Sequence, residues 1–99
     1  MNKKLKLSKP INAHGGLVEE LNFREPNGGD LINSGYPFRI IGKGNEVQRA
    51  TDMNAVAALI SCLAEIPPSS VEQLSLTDFQ GAMMIVLGFI AESPPAEVL

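Results

Sequence analysis

Residues 77–92 read TDFQGAMMIVLGFIAE, and the reading of this stretch decides the fold. Thr77 stands three residues before Gln80. At that spacing each side chain can satisfy the other's backbone N–H, so a helix is predicted to start here. Phe79, Ala82, Met83, Val86 and Ile90 then recur at i, i+3, i+4, i+7 and i+11 and share one face. The other positions are not polar either: Met84, Ile85, Leu87 and Phe89 carry no charge. A helix that is apolar nearly all round must be covered nearly all round.

The nearest cover lies upstream. Residues 51–66, TDMNAVAALISCLAEI, form a second helical pattern, with Thr51 as the expected N-cap and Asp52 complementing the positive helix end. Met53, Val56, Ala57, Ile60, Leu63 and Ala64 mark its core face, and Leu59 and Cys62 widen it. Pro67–Pro68 end it. Ser69 followed by Glu72 reads as a second capping box, which predicts a short helix over Val71 to Leu74. Ser75–Leu76 is then a brief link, and the two long helices are expected to fold back on each other.

The N-terminal half has a different period. Lys4, Leu5, Lys6 and Leu7 alternate, as do residues 17–24, LVEELNFR, with Leu17, Glu19, Leu21 and Phe23 on one face. Between them NAHGG supplies turn chemistry, so the two segments read as an antiparallel hairpin. Asp30 is placed to cap one helical turn that Gly35 and Pro37 would end. Residues 38–49, FRIIGKGNEVQR, read as two short β segments about the turn GKGN. The predicted fold is α+β: N-terminal antiparallel β-hairpins followed by a C-terminal helical hairpin. The 99 residues are one small domain, with a β-rich half over 3–49, a helical half over 51–92 and an extended tail over 93–99.

Composition narrows the function. A net charge of −3 and a pI near 5.0 argue against a nucleic-acid partner. Lys3, Lys4, Lys6 and Lys9 form a basic cluster but lie on the alternating strand, and residues 52–65 and 78–91 hold no Lys or Arg for a recognition helix. One Cys and one His, Cys62 and His14, rule out a Cys/His zinc site built from this chain alone. Cys62 reads as a small buried hydrophobe and His14 as an exposed turn residue. Gly42–Lys43–Gly44 lacks the flanking pattern of a phosphate loop. No nucleophile stands beside a base, and Asp30, Asp52, Glu72 and Asp78 are each explained by a helix start, so neither catalysis nor a cofactor is expected. The basic start is not followed by an apolar run, and the run from Ala82 to Ala91 is about half a membrane span. A soluble, cytoplasmic, non-enzymatic protein with no membrane partner is expected.

Excess apolar surface is what remains. Once the two helices share a seam, Leu59, Met84, Ile85, Leu87 and Phe89 are left for the outside, and these five are the candidate partner-binding residues. The pair Met83–Met84 suits an adaptable surface, because the thioether chain repacks easily.

The order of motifs resembles the tail assembly chaperones of Mu-like and P2-like contractile-tailed phages. Leu21, Arg24, Pro26, Gly29, Asp30 and Leu31 match a segment that closes a strand in that family. Pro67, Val71, Leu74 and Asp78 match the link into its last apolar helix, in which Phe79, Met83, Val86 and Phe89 fall. The FRIIGKGNEVQRA segment departs from the pattern by its length. The resemblance implies a chaperone that coats the long apolar tape measure protein before the tail tube polymerises, and that is absent from the mature virion. It implies as partners the tape measure protein, further copies of the chain and, where the family makes one, a frameshifted longer form of it. The alternative reading of the same apolar surface is a small homodimeric adaptor or regulatory binding protein.

Overall fold

The computed structural model of the chain describes residues 2–41 and 48–92. Two hairpins come first: β1 (Lys3–Ala13) with β2 (Gly16–Phe23), then, after the short helix α1 (Gly28–Ser34), β3 (Phe38–Ile41) with β4 (Gln48–Thr51). Helices α2 (Met53–Ala64), α3 (Pro68–Val71) and α4 (Leu76–Glu92) follow. Both hairpins are antiparallel and form separate two-stranded sheets. The architecture is α+β, with a β-hairpin leading and helices closing the chain, as the sequence predicts. The GKGN turn and the 93–99 tail lie outside the described residues.

The turn of the first hairpin is tighter than NAHGG suggests. Its two central residues, His14 and Gly15, have φ of 53° and 79°. Positive φ at both positions is the geometry whose twist matches right-handed strands, and Gly15 takes it without steric cost. The His14 ring Nε2 donates to the Glu65 carbonyl at 2.8 Å, which ties the turn to the left-handed C-cap of α2.

Farther along, the ladder is broken. Lys6 pairs with Glu20, yet Ile11 pairs with Val18, so residues 7–10 of β1 bulge opposite Glu19 alone. Pro10 has no N–H to give to a ladder. The offset is odd, so β2 changes face across the bulge. Leu21 and Phe23 point into the core as expected, but Val18 replaces Leu17, which is 71% exposed.

Helix starts differ from the sequence reading in detail. Asn27, not Asp30, caps α1: Asn27 Oδ1 accepts from the Asp30 N–H at 3.1 Å, and Asp30 Oδ2 accepts from the Asn27 N–H at 2.8 Å. Asp52, not Thr51, caps α2, taking the N–H groups of Asn54 and Ala55; Thr51 closes β4. The Ser69–Glu72 box does not form, because α3 begins at Pro68, whose missing N–H costs nothing there. Ser75 Oγ accepts from the Asp78 N–H at 3.2 Å and starts α4 at Leu76, ahead of the predicted Thr77–Gln80 box.

The core collects Ile11, Leu21 and Phe23 from the hairpin, Val56, Leu59, Ile60 and Leu63 from α2, Val71 and Leu74 from the α3 region, and Ala82, Val86 and Phe89 from α4. Each fully buried Leu, Ile or Phe contributes about 1.5–3 kcal/mol relative to exposure. The buried line of α4 runs Asp78, Ala82, Val86, Phe89, turned from the predicted face, and Phe79, Met83 and Ile90 are only half-buried. Met53, expected in the core of α2, is 48% exposed.

Candidate partner-binding surface

The residues with most electrostatic character hold the fold together. The Arg24 guanidinium clasps Asp30 with two parallel bonds, to Oδ2 at 2.8 Å and Oδ1 at 2.7 Å. Through these bonds Arg24 keeps the buried Asp30 carboxyl far below the usual carboxylate range. The Arg24 backbone N–H reaches the Leu63 carbonyl at 3.1 Å, so the β2 exit, the start of α1 and the end of α2 meet here. Cys62 joins this cluster, donating from Sγ to Asp30 Oδ1 at 3.4 Å. Burial, and after it the Asp30 carboxylate, push the Cys62 thiol up, away from the reactive thiolate.

Side-chain hydroxyls are spent in the same way. Ser34, Ser61 and Ser70 donate to the carbonyls of Asp30, Ile66 and Asn12 at 2.6, 2.5 and 2.6 Å. Among the described residues no three of His, Cys, Asp or Glu gather in a set that could hold a metal. No helix among them is long and apolar enough to cross a membrane.

Among the described residues, two stretches of apolar surface involve α4. On α4, Leu76 is 73% exposed and Met84 70%, with exposed Gln80 between them at four-residue steps. These three share one side of the helix. Over residues 76–91 the only charge is Asp78, which is buried. The outward side of α4 is therefore an uncharged stripe. The second place is a groove of about 540 Å³ lined by Pro26, Asn27, Gly28, Leu31, Tyr36, Phe89 and Ile90, between α1 and the end of α4. Ile32 and Tyr36 stand exposed near its α1 side.

The five residues singled out from the sequence separate here. Met84 is exposed, and Ile85 and Leu87 are half-buried beside the core. Leu59 is completely buried in α2, so it is core and not outer face. Phe89 is also buried, with the Lys3 ammonium 5.2 Å from its ring centroid, although it lines the groove as well. Leu76 was hidden from sequence reasoning, because a helix started at Thr77 leaves it in a linker. Tyr36 and Ile32 were hidden because α1 is too short to show a period; only their apolar character beside Gly35 gave a signal.

The family model of phage tail assembly chaperone proteins, described as E, or 41 or 14, matches residues 4–91. No curated protein and no solved structure matches the chain. The matched region takes in the Arg24–Asp30 clasp, the α3 link and all of α4 up to Ala91.

Proposed function

We propose that this chain, which belongs to the family of phage tail assembly chaperones, binds and shields the tape measure protein during tail morphogenesis. The observation that carries this reading is the uncharged stripe of α4, where Leu76 and Met84 face solvent two turns apart. A long apolar helical client left free would aggregate, and an uncharged helix face is suited to cover a strip of it by side-by-side packing. Ile85 and Leu87 extend the contact at its margins, and Phe89 and Leu59 support it from beneath.

Burying Leu76 and Met84 would return about 1.5–3 kcal/mol each. That is small against the roughly 4–15 kcal/mol lost when two bodies associate. One copy therefore binds weakly, and many copies along one client hold it by avidity. Weak contacts are also easily released one after another as tube subunits arrive. Self-association, and pairing with a frameshifted longer form where one exists, belong to the same proposal. So does action in the host cytoplasm, without retention in the virion. The chaperone role calls for no catalytic step.

The test is co-expression with the tape measure protein of the same phage, followed by co-purification. Met84→Asp together with Leu76→Asp should abolish capture while leaving the helical circular dichroism unchanged. Capture that survives the double substitution would remove α4 from the interface. Failure of the unsubstituted chain to capture the tape measure protein, combined with a dimer of fixed size over a wide concentration range, would favour the homodimeric adaptor.

A further inference from the structure

The two edges of the first hairpin are treated differently. On β1 the helical half takes up several outward backbone groups in and beside the bulge. The Ser8 N–H bonds both Asp78 carboxylate oxygens at 2.9 Å, and the Lys9 N–H bonds Oδ2 at 3.2 Å. The Asn12 N–H reaches Gln73 Oε1 at 2.9 Å, and the Asn12 carbonyl accepts from Ser70 Oγ. On β2 the only described hydrogen bonds of residues 16–22 are those of the ladder with β1. The next bond on that side is made by Arg24, beyond the strand. A strand with one bare edge presents a row of unpaired N–H and C=O groups that can template another strand.

We infer that the outer edge of β2 is a strand-addition site for an extended protein segment that sets a basic side chain against Glu20 and an apolar one, three residues away, against Leu17. Its side chains choose the occupant. Glu20 lies opposite Lys6 in the ladder, so a carboxylate already faces an ammonium on the outer side of the sheet. A strand added on the free side would set its own residue against Glu20 from the other direction, where a second Lys or Arg fits. Leu17, exposed on that same outer side, offers an apolar contact farther along. A second copy is the wrong occupant. Two β2 edges paired antiparallel about Glu19–Glu20 would bring four carboxylates together, and like charges directly opposite are destabilising. The β1 edge of a second copy is already held by Asp78, Gln73 and Ser70. This site is independent of the α4 stripe.

The experiment uses the full chain and an acetylated eight-residue peptide of alternating Lys and Val, with amide hydrogen exchange as the readout. Alternate amides within residues 16–22 should slow at least tenfold on adding the peptide, and α4 amides should not respond. A peptide of alternating Glu and Val, equal in length, should give no such protection. Glu19→Gln with Glu20→Gln should weaken binding about tenfold. Leu17→Ser, which removes no charge, should weaken it by a smaller factor. Protection elsewhere, equal protection by the Glu–Val peptide, or no loss of affinity in the Glu variants would overturn the assignment. So would slowing of the same amides with rising protein concentration alone, which would mean that a second copy fills the edge.

Discussion

The Asp78 carboxylate, near the start of α4, holds the backbone N–H of Ser8 with both of its oxygens, each at 2.9 Å, across a sequence separation of 70 residues. The Lys9 N–H and the Ser8 hydroxyl add further bonds at 3.2 and 3.1 Å. A β-bulge leaves backbone donors without a ladder, and here one buried carboxylate gathers two of them. Asp78→Ala should therefore cost more than loss of a helix-dipole charge, about 2–3 kcal/mol in urea unfolding. Asp78→Asn keeps the acceptor oxygen but turns a second donor toward the amides, and should recover only part of that loss. If Asp78→Ala costs less than about 0.5 kcal/mol, the bulge is held by the ladder alone.

Acid should loosen the same joints. Burial pulls the Asp78 carboxyl upward, but the Ser8 and Lys9 amides outweigh it and hold it below its ordinary 3.8. The hydrogen bonds from Arg24 hold Asp30 lower still. Both groups have folded values below the unfolded ones, so the unfolded chain binds more protons as the solution becomes acidic. Their contribution is complete above the unfolded values, near pH 5 and higher, and is lost as pH falls through about 4 toward the folded ones. The urea midpoint should drop between pH 5 and pH 3, and the drop should flatten in Asp30→Asn and in Asp78→Asn. An unchanged slope in both variants would assign the acid sensitivity to other groups.

The register shift makes a prediction that strict alternation reverses. Leu17 is exposed and Val18 is half-buried against the core. Leu17→Ser should therefore change stability by less than about 0.5 kcal/mol. Leu21→Ala, on the same alternating face in the sequence, should cost about 2–5 kcal/mol. Comparable losses at Leu17 and Leu21 would mean that β2 keeps one face throughout.

These residues show what the sequence could and could not tell. Periods of two and of 3.6 locate the first hairpin and both long helices, because they reflect which side must be buried. The bulge is invisible to that logic: Pro10 warns of a break, but nothing local says that three extra residues enter β1 or that Leu17 turns outward. The face of α4 is missed for a related reason. Its buried line begins with a carboxylate, and a hydrophobic pattern never selects Asp78 as a core position. The ligand that makes it one, Ser8, lies at the far end of the chain. The Arg24–Asp30 clasp was legible as a motif, but not as an ion pair.

The candidate surface inherits the same limit, since core and exposed residues on α4 are chemically alike. Phe89 and Met84 separate them by experiment. Phe89 is nearly sealed beneath Lys3, and Phe89→Ala should cost about 3–5 kcal/mol. Met84→Ala should lie within about 0.5 kcal/mol of the parent in urea unfolding, and its effect should appear in client capture instead. Large destabilisation by Met84→Ala would place that side chain in the core and leave the stripe without its outer anchor.

Gly81 and Gly88 give the sharpest test of how α4 lies on β1. A Cβ on Gly81 would come within 3.2 Å of Leu5 Cδ1 and 3.6 Å of Cδ2, whereas one on Gly88 would meet nothing within 4 Å. Glycine within a helix costs about 1 kcal/mol relative to alanine. Gly88→Ala should recover most of that as added stability. Gly81→Ala should gain less, because the end of Leu5 must move by a few tenths of an ångström. Gly81→Leu has no such escape: it wedges α4 away from β1, pulls Asp78 from the Ser8 amide and should cost about 1–3 kcal/mol. In that variant the acid-dependent drop of the urea midpoint should also shrink, since Asp78 no longer has its donors. A Gly81→Leu protein as stable as Gly88→Ala, with the pH dependence of the parent, would show that α4 does not rest on Leu5.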